Sequence, residues 1–530
     1  MTPSNSFLPA YIVSISAICL YYKRIEHLIY VKKRFIFTTH THSYLFMKYD
    51  YDVIILGSGP AGFSCAMQSS KFDKKVLVIE ANEEHLGGAW INSGTVPSKA
   101  LRETSRIIQR FQNQFPQEAK EKPYTKYLMA DLLSYKDQIL ESKNKKVEKD
   151  LSKNEVDTYR GYGTLIDKNT VEVKNWEGEK KKFTAQYILL ATGSHNKAPD
   201  GFDVDHNIVL DDNSVLSLTH IPRRMVVIGS GVNALEYATT FASLGTRVTI
   251  LSYTSEFLPF LDEDINAELG KVLKDNSIEI IKKVRDLSIG VNDMRGSVEV
   301  MHTLKGDKEK GRKYVLETEH VLYLGKKLPN TNGIGLDKVG VALDEEGFVK
   351  TDGTFRTSVD SIFAAGDASG FPRLASASFS QGRIASCEMF REDNSLEMPE
   401  EIPFAIYSIP EISNIGLTQK EATEKGFNVA VGRAYYKNIT QGDVSNQQTG
   451  LLKIVFDQDT FKILGIHIIG ERASDLIHLG QAVMNLGGDI RYFIDHVLNY
   501  PTYSEAYRIA AFNGLNFVHK AGVKYKKILK

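Results

Sequence analysis

Two stretches of this chain carry the same three-part pattern, and together they constrain its fold more than any other feature. "YDVIILGSGPAGFSCAMQSSKFDKKVLVIEA" runs from a β-branched strand through Gly57, Gly59 and Gly62 into a helix, then into a second strand that ends at Glu80. "RRMVVIGSGVNALEYATTFASLGTRVTILSYTSEF" repeats that order with Gly229, Gly231 and, in the third position, Ala234. Strand, glycine turn, helix and strand in this order form the βαβ unit that binds dinucleotides. The first glycine permits the tight turn, the second lets the backbone approach a pyrophosphate, and the third lets the helix pack closely on the strand. The helix N-terminus then faces the phosphates, and an acid placed like Glu80 accepts from a ribose hydroxyl. Two such units predict an α/β chain with two Rossmann-like domains and two dinucleotides.

The second unit departs from the pattern at one position: its second strand ends at Ser252 rather than at an acid. A carboxylate there would hold both ribose hydroxyls of NAD and repel the 2′-phosphate of NADP, whereas an arginine would favour that phosphate. Ser252 does neither, and "SYTSEF" supplies no basic residue. The position therefore reads as a pocket that takes both nicotinamide cofactors, or as a plain strand end in a degenerate site. Further along, "SIFAAGDASG" is a short apolar strand turning at Gly366 into Asp367, a common Gly-Asp turn when taken alone.

At 530 residues the chain exceeds what one core usually supports. Its 65 basic residues balance 65 acidic ones, which gives no reason to expect nucleic acid as a partner. Cys19, Cys65 and Cys387 have neither disulfide-framework nor metal-ligand spacing, so no metal is expected, and a reducing compartment, the cytoplasm, is the default. The first 46 residues differ from the rest. An apolar run, Phe7 to Tyr22, is shorter than a good membrane span and is followed by Lys23, Arg24, Lys32, Lys33 and Arg34. Residues 1–46 read as an extension ahead of a true start at Met47, with membrane association expected only if residues 7–22 are an anchor. The lysine-rich stretch "DLLSYKDQILESKNKKVEKDLSKNEV" reads as a solvated helix, and no internal repeat beyond the two βαβ units is evident.

The motifs "GSGPAG", "GGAWINSGTVPSK", "LLATGS", "GSGVNALE", "YLGKKLPN", "FAAGDASG" and "YPTYSEAYR", in this order, resemble those of the pyridine nucleotide disulfide oxidoreductase family over about Met47 to Val518. The resemblance implies an FAD domain in two parts, residues 47–220 and 344–402, interrupted by an NAD(P) domain, 221–343. An α+β dimerisation domain, 403–530, follows, and a homodimer is expected. By the same resemblance Gly57, Gly59, Gly62 and Glu80 bind the adenosine end of FAD, and Asp367 holds its ribityl chain. Lys99 would lie beside the flavin ring, with Glu236 near it as an ion-pair partner. Gly87, Gly88, Thr95, Gly163, Thr192, Gly193 and Ala375 would line the FAD site. Gly229, Gly231, Ala234, Ser252 and Gly325 would serve the NAD or NADP site.

One departure from the family decides the chemistry. Disulfide-reducing members carry GGxCxxxxCxPSK, and here the two cysteine positions hold Trp90 and Thr95. Thiol exchange requires a thiolate and a neighbouring sulfur, so lipoamide or glutathione reduction by that route is excluded. The proton-shuttling histidine of the same enzymes corresponds to Tyr500, a poor base near neutral pH, although Glu505 is retained. Loss of the thiol relay with both glycine fingerprints intact is similar to the soluble, Si-specific pyridine nucleotide transhydrogenases, which implies FAD-dependent hydride transfer between NADPH and NAD⁺. Two alternatives stay open: a diaphorase or quinone reductase, and a flavin-binding redox sensor without turnover. Trp90 reads as a packing residue of the cleft, and His467 and His478 as structural histidines.

Overall fold

The strands that precede each glycine turn are unbroken apolar runs, as strands covered on both faces must be. Val53, Ile54, Ile55 and Leu56 are all buried, and so are Met225, Val226, Val227 and Ile228. Each such side chain taken from water contributes about 1.5–3 kcal/mol, which is why these runs settle at the centres of their sheets. The computed structural model describes residues 49–114, 128–292, 297–307, 311–390 and 397–520. The expectations about residues 1–46 fall outside them. Among the described residues no helix is long and apolar enough to cross a membrane.

The first sheet runs Asp157–Arg160, Val76–Glu80, Tyr51–Leu56, Lys180–Leu190, Ile362–Ala364, with every pair parallel. Strand Lys180–Leu190 has two roles. Its buried second half lies in this sheet, and its lysine-rich first half pairs antiparallel with Thr170–Lys174, which pairs in turn with Tyr162–Asp167. Helices Pro60–Ser70 and Ala375–Phe390 pack on one another beside the sheet.

The second sheet repeats this layout. Its parallel order is Glu279–Ile281, Arg247–Leu251, Arg224–Ile228, His320–Tyr323, Val209–Leu210. Beside it lies an antiparallel meander of Val284–Asn292, Ser297–Leu304 and Tyr314–Thr318. The duplication thus extends beyond the two βαβ units to which the sequence motifs confine it. The added strands share no motif, only a role in covering the parallel sheet.

The third sheet is antiparallel, in the order Phe404–Ile406, Glu411–Gly416, Ile463–Gly470, Gly450–Asp457, Val429–Tyr435. Its central strands, Ile463–Gly470 and Gly450–Asp457, are buried throughout because helices cover both faces. Ala473–Asn485 and Glu505–Lys520 pack against this sheet, and Glu263–Asp275 of the second unit also meets its two central strands. That second contact encloses Lys453, whose ammonium lies 2.7 Å from Asp262 Oδ1 and 2.5 Å from Asp264 Oδ2.

The lysine-rich stretch is a helix, Leu128–Lys153, but it is not solvated all round. Leu132, Val147 and Leu151 are buried, Lys136 donates to Leu216 O, and Asn144 donates to Asn92 Oδ1. Its apolar positions recur at helical spacing, and the lysine run obscures them.

Candidate functional site

The first glycine turn closes as its residue types require. Gly57 has φ +104°, and a Cβ on it would collide with the Ala191 carbonyl. A Cβ on Gly62 would collide with the Gly57 carbonyl oxygen, whereas one on Gly59 would meet nothing within 4 Å. Gly59 is thus the residue whose backbone is open to an approaching ligand, at the head of helix Pro60–Ser70. Glu80 secures the turn: its carboxylate accepts from Ser58 N at 3.0 Å, Ser58 Oγ at 2.5 Å and Asn82 N at 2.9 Å. Ser58 Oγ in turn accepts from Gly87 N at 2.7 Å, which ties the loop of Gly87 and Gly88 to the turn.

From this turn a cleft of about 720 Å³ extends past Gly59, Gly88, Trp90, Thr95 and Lys99 to Glu236. Thr192, Gly193, Asp367 and Ala375 are also in its lining. A second cavity, about 380 Å³, shares Gly57, Glu80 and Thr192 with it and reaches Gly163, Tyr162 and Ile334. The two form one elongated site on either side of the glycine turn. Its polar atoms are directed and incompletely matched. Thr192 Oγ1 is buried and has no hydrogen-bond partner, and Asp367 accepts from Ser194 Oγ at 2.6 Å with a second oxygen left to receive a hydroxyl. An open glycine at a helix head, an orphaned hydroxyl and a carboxylate along one cleft fit a long, hydroxyl-bearing dinucleotide.

At the far end the first and second units meet. Lys99, on helix Thr95–Gln114, places Nζ 2.6 Å from Oε2 of Glu236, on helix Val232–Ser243. Glu236 Oε1 also accepts from Tyr407 N at 2.8 Å, and Lys99 Nζ stands 5.0 Å from the Tyr407 ring centre. The segment carrying Tyr407 is held on both sides. Ile409 N donates to Thr239 Oγ1, Arg102 donates to Ser408 O, and Arg102 Nη2 pairs with Glu411 Oε1 at 2.9 Å. Burial, with the Glu411 and Glu236 carboxylates, pushes the Tyr407 phenol up, and burial does the same to Tyr237. Both phenols stay neutral. Behind the Lys99–Glu236 pair, Lys327 pairs with Asp212 at 2.7 Å.

Trp90 and Thr95 lie in the cleft lining. Trp90 meets Phe379 edge-on at 5.0 Å between ring centres, and its Nε1 has no partner. The residues of the second unit, Gly229, Gly231, Ala234 and Ser252, and also Gly325, are not in this lining. A Cβ on Gly229 would stand 2.9 Å from Leu324 O, and Gly231, like Gly59, is open. Ser252 is fully buried. Tyr500 is exposed, bonded to Thr440 Oγ1 at 2.7 Å, and outside the cleft lining. Glu505 Oε2 is buried without a partner, and burial raises its carboxyl pKa despite Arg508. His467 is enclosed and bonded to Leu417 O, while His478 pairs with Gln481 on an exposed helix face.

The two described cysteines are inert. Burial pushes the Cys65 thiol up to about 12, with Cys387 within electrostatic range across the paired helices. Among the described residues no cluster of His, Cys, Asp and Glu could hold a metal. Sequence reading missed Tyr407, Arg102, Asp212 and Asn330. Arg102 and Asn330 do lie in segments that resemble the family, and Asn330, within "YLGKKLPN", donates to Thr192 O at 2.8 Å.

A dinucleotide cleft at one βαβ unit, joined through a lysine–carboxylate pair to a second such unit, defines a two-dinucleotide oxidoreductase. The chain belongs to the pyridine nucleotide-disulphide oxidoreductase family, which it matches over residues 51–382, and it matches that family's dimerisation domain over 402–511. It is 36% identical over 476 residues to a soluble pyridine nucleotide transhydrogenase of Pseudomonas paraeruginosa, a match covering 88% of this chain and 99% of that one. A protein of the same name from Colwellia psychrerythraea is 37% identical over 473 residues, covering 88% and 98%. Among solved structures, LpdA from Mycobacterium tuberculosis superposes with a TM-score of 0.78 at 23% identity, covering 87% of this chain and 98% of that one. The HOCl-induced flavoprotein disulfide reductase RclA from Escherichia coli gives 0.77 at 23% identity, covering 87% and 99%. These two likenesses concern the fold.

Proposed function

We propose that the chain transfers hydride between NADPH and NAD⁺ through bound FAD and without a redox disulfide. The observation that carries this reading is the Lys99–Glu236 pair at 2.6 Å, in a cleft whose lining includes Trp90 and Thr95 and, among the described residues, no cysteine. FAD, when bound, supplies the two-electron relay that no side chain of this cleft offers. Gly57, Gly59 and Gly88 would admit its pyrophosphate, with Gly62 packing the helix behind them, Glu80 and Gly163 would flank its adenosine, and Asp367 and Thr192 would bond its hydroxyls. Lys99 places a fixed positive charge where negative charge develops, and Glu236 holds that ammonium in place or receives the nicotinamide ribose. The indole of Trp90 forms part of the cleft wall, packed against Phe379.

The chain's similarity to relatives named soluble pyridine nucleotide transhydrogenase supports the same reading. So does the absence of a thiol from the cleft lining among the described residues, which removes disulfide exchange as the route for the reducing equivalents. We also infer the division into FAD, NAD(P) and dimerisation domains given above, a homodimer through residues 403–530, and a cytoplasmic location. The test is NADPH-dependent reduction of the thio analogue of NAD⁺ by the FAD-loaded full chain with oxygen excluded. Rapid reduction is expected. Bleaching of the flavin band without reduction of the analogue would put a quinone reductase in its place, and no bleaching by NADPH or NADH would put a redox sensor there.

A further inference from the structure

The second βαβ unit ties its glycine turn to its strand end as the first does, with one change of charge. In the first unit Glu80 accepts from Ser58, the residue between the first two glycines. In the second, Ser252 Oγ bonds to Ser230 Oγ, at the matching position, at 3.0 Å. Ser252 Oγ also lies 2.9 Å from Thr254 Oγ1, which donates to Glu256 O. Both hydroxyls are therefore engaged, and the fully buried Ser252 presents neither charge nor an open donor to a ribose.

The chain returns to this place thirty residues on. Ser252 N donates to Ile281 O at 2.8 Å, Lys283 N to Thr254 O at 3.1 Å, and Val284 N to Ser252 O at 3.0 Å. This brings Arg285 alongside: its Nη1 donates to Tyr253 O at 3.2 Å and to Val284 O at 2.8 Å. The guanidinium thus stands next to the residue that follows Ser252, where the βαβ pattern places the adenosine ribose. Arg285 is exposed, and among the described residues it makes no ion pair. Of its immediate neighbours, Asp286 accepts from Thr303 Oγ1 at 2.6 Å.

We propose that Arg285 is the specificity-determining residue of the nicotinamide site, reading the 2′-phosphate of NADP(H) in place of a cation in the loop after Ser252. The geometry also explains tolerance of the nucleotide without that phosphate. The two backbone carbonyls hold Arg285 whether or not an anion is present, and its remaining donors face water, so no buried donor is left unpaired when NAD(H) binds. At the same time Ser252 brings no carboxylate to repel the phosphate.

The inference rests on the proposed function only in taking the second unit as the nicotinamide site, and its test uses binding rather than turnover. The FAD-loaded full chain is titrated calorimetrically with 2′,5′-ADP and with 5′-AMP, which differ by the 2′-phosphate alone. The wild-type chain is expected to prefer 2′,5′-ADP by about tenfold, the value of one charge-assisted pair. Arg285→Gln, which keeps a donor for the carbonyls, should abolish the preference with 5′-AMP binding within about twofold of wild type, and Arg285→Lys should retain part of it. No preference in the wild-type chain, or equal weakening of both ligands in Arg285→Gln, overturns the inference. If selectivity tracks Arg285 but NADPH does not reduce the thio analogue, the proposed function fails and the inference stands.

Discussion

Replacing Lys99 by methionine removes a charge while keeping the unbranched stem that lines the cleft. The ammonium sits 2.6 Å from Glu236 Oε2, with 26% of the Lys99 side chain and 11% of the Glu236 side chain exposed. Across that distance, at an effective dielectric constant of about 20, the bare attraction is about 6 kcal/mol. Desolvation of both groups offsets most of it, so a double-mutant cycle should return a coupling of about 1–3 kcal/mol. The catalytic consequence is larger than the structural one. A preorganised charge facing developing negative charge contributes about 10²–10³ in rate, or about 3–4 kcal/mol. With FAD still bound, Lys99→Met should slow anaerobic bleaching of the flavin band by NADPH about 100-fold in stopped flow. Glu236→Gln keeps an acceptor for Tyr407 N but no longer holds the ammonium by charge, and should cost about tenfold. The double variant should lose less than the product of the two effects, because both act on one charge. Bleaching by Lys99→Met within twofold of wild type, at full flavin occupancy, would refute the reasoning and reduce the pair to a strut between two helices.

The glycines of the first turn should separate by role: Gly59→Ala should fold normally yet lose bound flavin, because its Cβ meets only the space a ligand would take, whereas Gly62→Ala should fail to accumulate as folded protein. Circular dichroism and the visible spectrum of the purified chains check both outcomes, and retained flavin in Gly59→Ala would contradict the cleft assignment. Trp90→Phe keeps the edge contact with Phe379 and removes an Nε1 that has no partner, so stability should change by less than about 1 kcal/mol and turnover by less than twofold. Acid should loosen the contact between helix Glu263–Asp275 and the third sheet. Burial opposes the charge on Asp262 and Asp264, but His467 and Lys453 hold Asp262, and Arg433 and Lys453 hold Asp264, below the ordinary value of 3.8. A carboxyl depressed in the folded state contributes stability that is present above its unfolded value and lost as pH falls through the folded one. Urea midpoints should therefore drop below about pH 4 in the wild-type chain. Asp264→Asn should begin less stable near neutral pH and show a shallower decline, and an unchanged slope would count against the pair.

What the sequence made legible, and what it hid, follows the reach of each interaction. The first glycine turn closes within thirty residues through Gly57, Gly62, Ser58 and Glu80, so residue order alone carries its geometry. The Lys99–Glu236 pair spans two units and no local pattern implies it; the order of family motifs does. Tyr407 bonds Glu236 across 171 residues from a segment with no distinguishing composition, and only the packed third sheet sets its place. The lysine-rich helix shows how charge density misleads, since Lys136 is buried and donates to a backbone carbonyl while its neighbours face water. Arg285 is the sharpest case. Examined one strand at a time, the second unit ends at an uncharged serine and offers no cation, so the nucleotide preference is undecidable. The parallel pairing of Arg247–Leu251 with Glu279–Ile281 returns the chain to the same edge, and the next turn delivers the guanidinium. A specificity position defined by the end of one strand can thus be occupied from the beginning of another, and a loss of charge at Ser252 is not evidence that the site has decayed.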